Sequence, residues 1–357
     1  MWIKKLDLVQ FRNYDRVSVE FQKGVNVIQG DNGAGKTSLV EAIGLFPLSK
    51  SIRTSDDKEM IKIGNQFTRA ECVVQKEFEE KVKIVISKQG KVIEVNDSEL
   101  KKVSSLAGVV KVISFLPKDV ELFKGSPSIR RKFVDTTLSM LDKIYLVNLG
   151  EYNKILDQIR VLLKEENVDT VHLEVLTQEL SKRGVIIQTK RSKFLALLNE
   201  ELKTISKYIE GDESKMGITY LPDVEELDKY FEKVWEKLKQ TLTLNKVNRN
   251  VIKGVHQDDI SMDFDGKSLS MFGSQGQNRI SVIALKLSLI RMIKFKFKEE
   301  PIVILDDVLS ELDEMHQKKL IQLLNRIEQV FITGTKVNLI EKYALYNVED
   351  NTVRRVK

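Results

Sequence analysis

The pattern of apolar and polar residues changes character near residues 130 and 250. Residues 1–29 read as strands, with apolar side chains at Ile3, Leu6 and Leu8 and then at further alternating positions. From about residue 130 to 247 the apolar positions follow the 3.6-residue period of helices, and Pro222 is the one proline. After residue 250 strand-like and helix-like segments alternate again. The middle of the chain is therefore predicted to be a bundle of helices between two α/β segments.

Several shorter signals refine this picture. Residues 67–95 are strand-like, and Gln89-Gly90 between their last two runs predicts a hairpin. Helices are expected from Thr37 to Pro47, from about Gln275 to Lys298 and near residues 316–326. The apolar strands PIVIL and QVFIT alternate with these helices, which indicates a buried, largely parallel sheet. We expect one α/β domain built from residues 1–127 and 248–357, with a mainly helical insertion over residues 128–247.

Composition then excludes several classes of protein. The single Cys72 rules out a disulfide framework, and the three histidines lie far apart without a metal-ligand spacing. No apolar run is long enough to span a membrane, and the N-terminus lacks the apolar core of a signal peptide. We therefore expect a cytoplasmic protein with no membrane partner. The formal charge of +6 permits a polyanionic partner without demanding one.

Two clusters of basic residues are candidate contacts for such a polyanion. They are Arg130-Arg131-Lys132 and Lys190-Arg191-Lys193. Arg130 and Arg131 have a competing structural interpretation, in which they pair internally with carboxylates. The sequence leaves both interpretations open.

A phosphate-binding motif follows the third predicted strand. The motif G-x-x-x-x-G-K-[ST] is matched between a strand and a helix by Gly30, Asp31, Asn32, Gly33, Ala34, Gly35, Lys36 and Thr37. Glycines let the backbone N–H groups point at phosphate oxygens, and the following helix contributes its positive N-terminus. Lys36 is expected to reach the β- and γ-phosphates, and Thr37 to ligate Mg²⁺. The sequence therefore predicts a nucleotide site.

An acidic pair ends the apolar strand PIVIL. Asp306 is expected to hold the metal, and Asp307 to activate the attacking water as a general base. Two aspartates at the end of a strand are also a common structural cap, so their interpretation depends on the phosphate motif. Thr37 and Asp306 are thus the predicted metal residues, and Asp307, Lys36 and Ser274 the predicted catalytic ones.

A second possible anion site lies just before the helix that starts near Gln275. Ser274, Gly276 and Gln277 stand at its N-terminus, where a hydroxyl, free N–H groups and the helix dipole favour an anion. Taken by itself, Ser274 is better explained as an N-cap. Because the chain already has one complete triphosphate loop, a second platform makes sense if it serves the nucleotide of another copy.

Together these motifs resemble a known family. GDNGAGKTSLVEAI, the stretch PKDVELFKGSPSIRRKFVD, the Ser-x-Gly-Gln helix and LDDVLSELD resemble the ABC-type ATPase head of the structural-maintenance-of-chromosomes group. Within that group they are most similar to the RecF family of bacterial recombination mediators. The resemblance implies a P-loop ATPase head built from both chain ends, with a short helical arm inserted.

The resemblance also implies roles for further residues. ATP and Mg²⁺ would lie between two copies, bound by one copy's phosphate loop and the other's Ser274. Asp313 would cross the interface, Arg12 and Asn13 would lie near the nucleotide, and Asp119 would occupy the place of a metal-sensing loop. Three departures stand out: Asp307 replaces the usual Glu, Lys118 replaces an acid, and Thr333-Gly334-Thr335 carries no switch histidine. Slow hydrolysis is expected from the last of these, because a threonine in place of the histidine can hold a water but does not titrate near neutral pH.

Partners and biological role follow from the resemblance alone. They are DNA (duplex, gapped or single-stranded), an ATP-dependent homodimer, and mediators of the RecO and RecR type. The implied role is a weak DNA-stimulated ATPase that promotes RecA loading, recombinational repair, replication restart and SOS induction. Two rivals remain: the ATPase subunit of an ABC transporter, and a non-hydrolysing ATP-gated scaffold of chromosomes.

Overall fold

The computed structural model describes residues 1–211, 216–244, 249, 252–334, 340 and 342–357. Within these residues the strands are β1 (Trp2–Phe11), β2 (Tyr14–Glu20), β3 (Gly24–Gln29), β4 (Phe67–Gln75), β5 (Glu79–Ser87), β6 (Lys91–Val95), β7 (Ser98–Glu99), β8 (Val112–Phe115), β9 (Met216–Leu221), β10 (Asp259–Phe264), β11 (Lys267–Ser268), β12 (Ile302–Asp306), β13 (Gln329–Thr333), β14 (Ala344–Glu349) and β15 (Thr352–Arg355). The helices are α1 (Lys36–Leu45), α2 (Pro127–Leu141), α3 (Lys143–Leu162), α4 (Thr170–Glu210), α5 (Tyr230–Leu242), α6 (Leu269–Phe272), α7 (Gln275–Phe297) and α8 (Glu314–Leu324).

The chain divides into two compact units. The first contains Met1–Asp119 and Ile283–Lys357, and the second contains Val120–Val282. Residues 120–127 and 252–282, which we expected in the ATPase head, thus group with the insertion. Strand β10 pairs with β9 of the insertion along its whole length. The expected boundary at residues 247 and 248 itself lies outside the described residues.

The first unit contains a mostly parallel sheet in the order β15-β14-β3-β13-β12-β8. Strands β14, β3, β13, β12 and β8 pair in parallel, and β15 is antiparallel to β14. Every residue of β12 and β13 is buried, because helix α1 and the second sheet pack against them and most of their side chains are apolar. The predicted buried parallel sheet is confirmed.

The second sheet of this unit is antiparallel, in the order β2-β1-β4-β5-β6-β7. Strands β4 and β5 bury alternate residues, as a sheet with one covered face requires. Strands β5 and β6 pair across Gln89-Gly90, where Gly90 has a φ of 154°. The predicted hairpin is confirmed.

The second unit is mainly helical. Helices α3 and α4 pack together, and α4 runs for 41 residues from an N-cap at Asp169, whose carboxylate accepts from Val171 N and His172 N. In α5 the buried residues Tyr230, Val234, Leu238 and Thr241 recur every three or four positions. The mainly helical insertion also contains a strand that the sequence analysis did not predict, β9, which completes a small antiparallel sheet in the order β11-β10-β9. None of the helices in the described ranges is long and apolar enough to cross a membrane.

Candidate functional site

The phosphate motif forms a loop from the end of β3 to the start of α1. Gly35 stands at the N-cap with a φ of 115°, and no side chain caps the helix. Gly30 has a φ of 155°, and a Cβ there would lie 2.3 Å from the carbonyl oxygen of Val348. Glycine is therefore required at both positions, by backbone conformation at Gly35 and by close packing at Gly30. The loop leaves the first N–H groups of α1 without partners inside the helix.

Lys36 folds back over this loop. Its Nζ donates to the carbonyl oxygens of Gly30 at 2.7 Å and Asp31 at 2.8 Å. Asp31, Asn32 and Gly33 are exposed at the tip. The ammonium is thus held above the concave side of the loop, where it can exchange carbonyl partners for phosphate oxygens.

Parallel pairing brings the acidic pair to the same edge of the sheet. Thr333 at the end of β13 is in register with Ile28 of β3 and with Asp306 of β12. The Asp306 carboxylate, only 6% exposed, accepts hydrogen bonds at Oδ1 from Thr37 Oγ1 at 3.2 Å and from Thr333 Oγ1 at 2.7 Å. The structure therefore brings together Lys36, Thr37 and Asp306, as the sequence predicts.

Asp307 differs from Asp306 in both conformation and exposure. Its φ of 56° is left-handed, its side chain is exposed, and its N–H donates to Thr333 Oγ1 at 3.0 Å. The Thr333 hydroxyl thus fixes both aspartates, one through its proton and the other through its lone pair. The sequence analysis did not predict this supporting role, because it noted Thr333 only as part of a segment that lacks a switch histidine. Thr335 lies outside the described residues.

This donor set fits a magnesium nucleotide. Mg²⁺ prefers one or two protein oxygens together with phosphate oxygens and water. The hydroxyl of Thr37 and the carboxylate of Asp306 already meet at 3.2 Å beside the loop. The glycine cradle and the lysine provide the matching phosphate site.

Arg12 and Asn13 flank the loop. Arg12 makes a bidentate pair with Glu41 of α1, at 2.9 Å from Nε and 2.7 Å from Nη2, and Glu41 is fully buried. Burial alone would lower the pKa of Arg12, but the hydrogen bonds and charge of Glu41 raise it overall. The Asn13 side chain bonds to Asn351. Arg12 therefore braces α1 from outside, and Glu41 is a partner that the sequence did not reveal.

Tyr14 is a further loop residue that the sequence analysis missed. Its hydroxyl donates to the Gly35 carbonyl at 3.0 Å. A Cβ on Gly35 would lie 2.7 Å from that hydroxyl and 2.8 Å from Asn13 Nδ2. Burial raises the pKa of Tyr14, so the phenol stays protonated and keeps donating. The turn at residues 12–14 therefore fixes the position of Gly35.

The second helix start is closed by its own residues. Ser274 Oγ accepts from Gln277 N at 3.1 Å, and Gln277 Oε1 accepts from Ser274 N at 2.9 Å. This is a reciprocal capping box. Ser274, Gln275 and Gly276 are exposed. Both interpretations of Ser274 are thus compatible with its geometry: it caps α7, and it faces solvent where an anion can approach.

Asp313 and Asp119 have partners within the chain. Asp313 is the N-cap of α8, and hydrogen bonds from His316 lower the pKa of its exposed carboxyl group.

The Asp119 carboxylate accepts from Leu116 N at 2.5 Å and pairs with Lys286 of α7, whose side chain is buried. Lys118 Nζ donates to the Ile52 carbonyl at 2.7 Å. A metal-sensing role for Asp119 stays a prediction, and such a role requires Asp119 to release Lys286.

The basic clusters are largely internal. Arg130 makes a bidentate pair with Asp259, and Arg131 Nη1 donates to the Asp258 carbonyl at 2.7 Å. Arg191 is only 2% exposed and pairs with Asp135 and Asp258. The structural interpretation is therefore correct for Arg130, which pairs with a carboxylate, whereas Arg131 donates to a backbone carbonyl. The prediction that Arg191 offers a polyanion contact was wrong, because burial hides its guanidinium.

Known proteins are similar to this chain along almost its whole length. The family model described as the RecF/RecN/SMC N terminal domain matches residues 2–354. The chain is 39% identical over 347 residues to the DNA replication and repair protein RecF of Clostridium acetobutylicum, covering 96% of this chain and 95% of the relative. It is 37% identical over 370 residues to the RecF of Halalkalibacterium halodurans, covering 99% and 100%.

Solved structures agree. The recombination mediator protein RecF with ATP, of the RecFOR pathway, superposes with a TM-score of 0.91 at 32% identity, covering 100% of this chain and 98% of that one. An Smc head bound to the C-winged helix domain of ScpA has a TM-score of 0.57 at 14% identity, which shows a shared fold alone. Fold and loop thus define an ABC-type P-loop ATPase head with an inserted arm. Within that class, the chain belongs to the RecF family.

Proposed function

We propose that this chain is an ATP-binding protein of DNA replication and repair that acts on DNA as an ATP-closed dimer. The observation that carries the proposal is the meeting of Lys36, Thr37 and Asp306 at one edge of the parallel sheet. Full-length similarity to proteins named DNA replication and repair protein RecF supports it.

Each residue of the edge has a distinct task. Lys36 binds the β- and γ-phosphates, and the hydroxyl of Thr37 and the carboxylate of Asp306 hold Mg²⁺, which neutralises charge on the phosphates. Asp307, exposed beside them, orients and deprotonates the attacking water. Thr333 holds the two aspartates but does not titrate near neutral pH, so hydrolysis is slow. The product is ADP and phosphate.

The second copy completes the site. Ser274 and the neighbouring N–H groups of Gly276 and Gln277 contact the γ-phosphate bound to the partner's loop, and Asp313 lies at the same interface. Exposure of Ser274, Gly276 and Asp313 supports this assignment. A phosphate must then exchange with the capping hydrogen bonds of Ser274, so ATP and a second copy are needed together.

DNA and mediator proteins are the proposed partners. The dimer binds duplex, gapped or junction DNA through phosphate contacts, with strong salt dependence and little sequence preference. A RecF structure is described within the RecFOR pathway, which supports partners of the RecO and RecR type. We place this activity in the cytoplasm, upstream of RecA loading, recombinational repair, replication restart and SOS induction.

The rival functions lead to different observations. A transporter subunit is disfavoured because the family match covers residues 2–354, including the arm. A non-hydrolysing scaffold shares the nucleotide site but predicts no turnover with Mg-ATP and DNA. Measurement of phosphate release on a gapped duplex separates it from a slow ATPase.

The main test is the binding of a fluorescent gapped duplex, followed by anisotropy with and without Mg-ATP. The Ser274→Arg variant should still bind ATP in one copy, but the arginine should block the approach of a second copy. The control is Ser192→Arg, which adds the same bulk and charge at an exposed serine of α4. ATP should strengthen binding about tenfold or more in the wild type and in Ser192→Arg, but not in Ser274→Arg. Equal binding with and without ATP in all three proteins would refute the ATP-closed dimer.

A further inference from the structure

A buried arginine lies at the centre of the second unit. Arg191 of α4 is 2% exposed, and its guanidinium donates to Val255 O at 2.6 Å, Asp258 Oδ2 at 2.7 Å, Asp135 Oδ1 at 2.7 Å and Tyr145 Oη at 3.0 Å. Arg191 thereby joins helices α2, α3 and α4 to one short segment of chain. A planar fork of donors suits this arrangement, and a lysine cannot reproduce it.

That segment, Val255–Asp259, is held by other side chains as well. Asp258 is 1% exposed; its Oδ1 accepts from Asp223 N at 2.9 Å, and its Oδ2 accepts from the Tyr220 hydroxyl. Arg131 Nη1 donates to the Asp258 carbonyl at 2.7 Å. Arg130 donates to the Asp259 carboxylate in a bidentate pair, from Nε to Oδ1 at 2.7 Å and from Nη2 to Oδ2 at 2.8 Å. The segment is therefore fixed by three arginines from two helices.

The fixed segment continues through β10, β11 and α6 to the Ser274 turn. Strand β10 starts at Asp259 and ends at Phe264, which lines a cavity of about 450 Å³ together with Leu269, Phe272, Gly273 and Gln277. The turn itself has little room to adjust, because a Cβ on Gly273 would lie 2.4 Å from Asn278 Nδ2 and 2.7 Å from Leu269 O. Helix α6 packs against β10 and ends at Phe272, next to this turn, so a shift of β10 is transmitted to Ser274 through α6.

Stability alone is a poor reason for such a network. Desolvation of buried ions offsets much of their attraction, and apolar residues of similar volume often serve as well. What a saturated network does provide is one defined position for the groups it joins. Here the groups joined are the arm helices on one side and the strand leading to Ser274 on the other.

We propose that Arg191 is a positioning residue that couples the arm to Ser274. It fixes Val255–Asp259, and thereby β10, so that the Ser274 turn is in place to receive the γ-phosphate of the partner copy. A ligand or partner that moves α4 would alter ATP-dependent closure through the same contacts. The inference rests on the proposed function, in which Ser274 acts on the nucleotide of a second copy.

The test is a double-mutant cycle between Arg191→Lys and Ser274→Ala. ATP-dependent dimerisation is measured by analytical ultracentrifugation, and ATP binding to single copies at low protein concentration by a fluorescent ATP analogue. Lys190→Met is the matched control, since Lys190 is the preceding residue of α4 and pairs only with Asp142 among the contacts described. Arg131→Met is a milder second variant, which removes one hydrogen bond to the same segment.

Arg191→Lys should weaken the ATP-dependent dimer about tenfold, leave single-copy ATP affinity within about twofold, and cause no further loss in the Ser274→Ala background. Arg131→Met should show the same pattern with a smaller loss, and it decides the question if Arg191→Lys does not fold. Lys190→Met should behave as wild type.

The outcomes separate the two levels of the proposal. If Ser274→Ala leaves ATP-dependent dimerisation unchanged, the proposed function itself fails. If Ser274→Ala weakens the dimer but the arginine variants do not, or if their losses multiply in the double variant, the function stands. In that case Arg191 and Arg131 are structural residues only.

Discussion

Two helix starts in this molecule are candidate phosphate sites, and they are built in opposite ways. Helix α1 follows a glycine-rich loop, has Gly35 at its N-cap and has no side-chain cap. Helix α7 follows Ser274, whose hydroxyl is engaged with Gln277 in a capping box. The first start is open to a ligand, whereas the second satisfies its own hydrogen bonds.

The segments that lead into the two helices also differ, one being held by apolar packing and the other by ion pairs. Helix α1 follows β3, which lies within the parallel sheet and is buried at Val25, Val27 and Ile28. Helix α7 is reached through Val255–Asp259 and β10, which are held by buried ion pairs. Apolar strand packing suits a site that is always formed. A fully satisfied polar network instead holds the groups that it joins in one defined arrangement.

The largest expected effect concerns the open start. Lys36→Ala removes the ammonium that lies over the loop and should weaken ATP binding about 100-fold, or ~3 kcal/mol, the upper range for a charge-assisted contact. Titration of a fluorescent ATP analogue measures this. Lys50→Ala, at an exposed lysine soon after α1, should bind ATP as the wild type does. Equal affinities in the two variants would show that α1 is not the nucleotide site.

The next effect tests the polar support of α7. Burial, followed by the nearby charge of Arg160, lowers the pKa of His256 from 6.5 to about 4, and its Nδ1 lies 2.7 Å from the Tyr152 hydroxyl. Between pH 6.5 and about 4, His256 binds a proton in the unfolded chain but stays neutral in the folded chain. The free energy of unfolding should therefore fall by up to about 3 kcal/mol as the pH drops from neutral to about 4.

The His256→Gln variant isolates this titration. It keeps a hydrogen-bonding side chain near Tyr152 but takes up no proton, so its urea unfolding midpoint should lose much less between neutral pH and about pH 4. If the two proteins lose stability in parallel, the imidazole of His256 is not shielded from protonation by its surroundings.

A smaller effect concerns the shape of the loop. Gly35→Ala and Gly33→Ala both place a Cβ at positive φ, at 115° and 85°, which costs about 1 kcal/mol or more in each case. Only Gly35→Ala also meets neighbours, Tyr14 Oη at 2.7 Å and Asn13 Nδ2 at 2.8 Å. Gly35→Ala should thus lower thermal stability and ATP affinity clearly more than Gly33→Ala. Identical losses would mean that the turn at residues 12–14 does not shape the loop.

The smallest effect concerns the closed start. Ser274→Ala removes the N-cap of α7 and should reduce the free energy of unfolding by about 1 kcal/mol without ATP present. Gln275→Ala, at the exposed neighbouring position, should cost a few tenths at most. Denaturant unfolding compares them. If Ser274→Ala is neutral, the capping box contributes nothing and Ser274 is free to serve the phosphate alone.

Features that depend on neighbours in sequence were predictable. Gly30 and Gly35 predict the phosphate loop, because the loop needs backbone conformations with positive φ that glycine adopts readily. Gln89-Gly90 predicts the hairpin for the same reason, since Gly90 also has a positive φ. The convergence of Thr37 and Asp306 was also predictable, since parallel strands bring their carboxyl ends to one edge. Ser274 was predictable only as two alternatives, because a cap and an anion site use the same atoms.

Features that depend on distant partners were not predictable. Basic clusters look alike in sequence whether they face solvent or a carboxylate, and only packing showed that Arg191 meets Asp258 and that Lys286 meets Asp119. Strand β9 lies in otherwise helical sequence and is formed by pairing with β10. The sequence by itself determined the phosphate loop, the largely parallel character of its sheet and the family. The tertiary structure decided which charges are buried and paired, because a charge is stable inside a protein only where the fold supplies its partner.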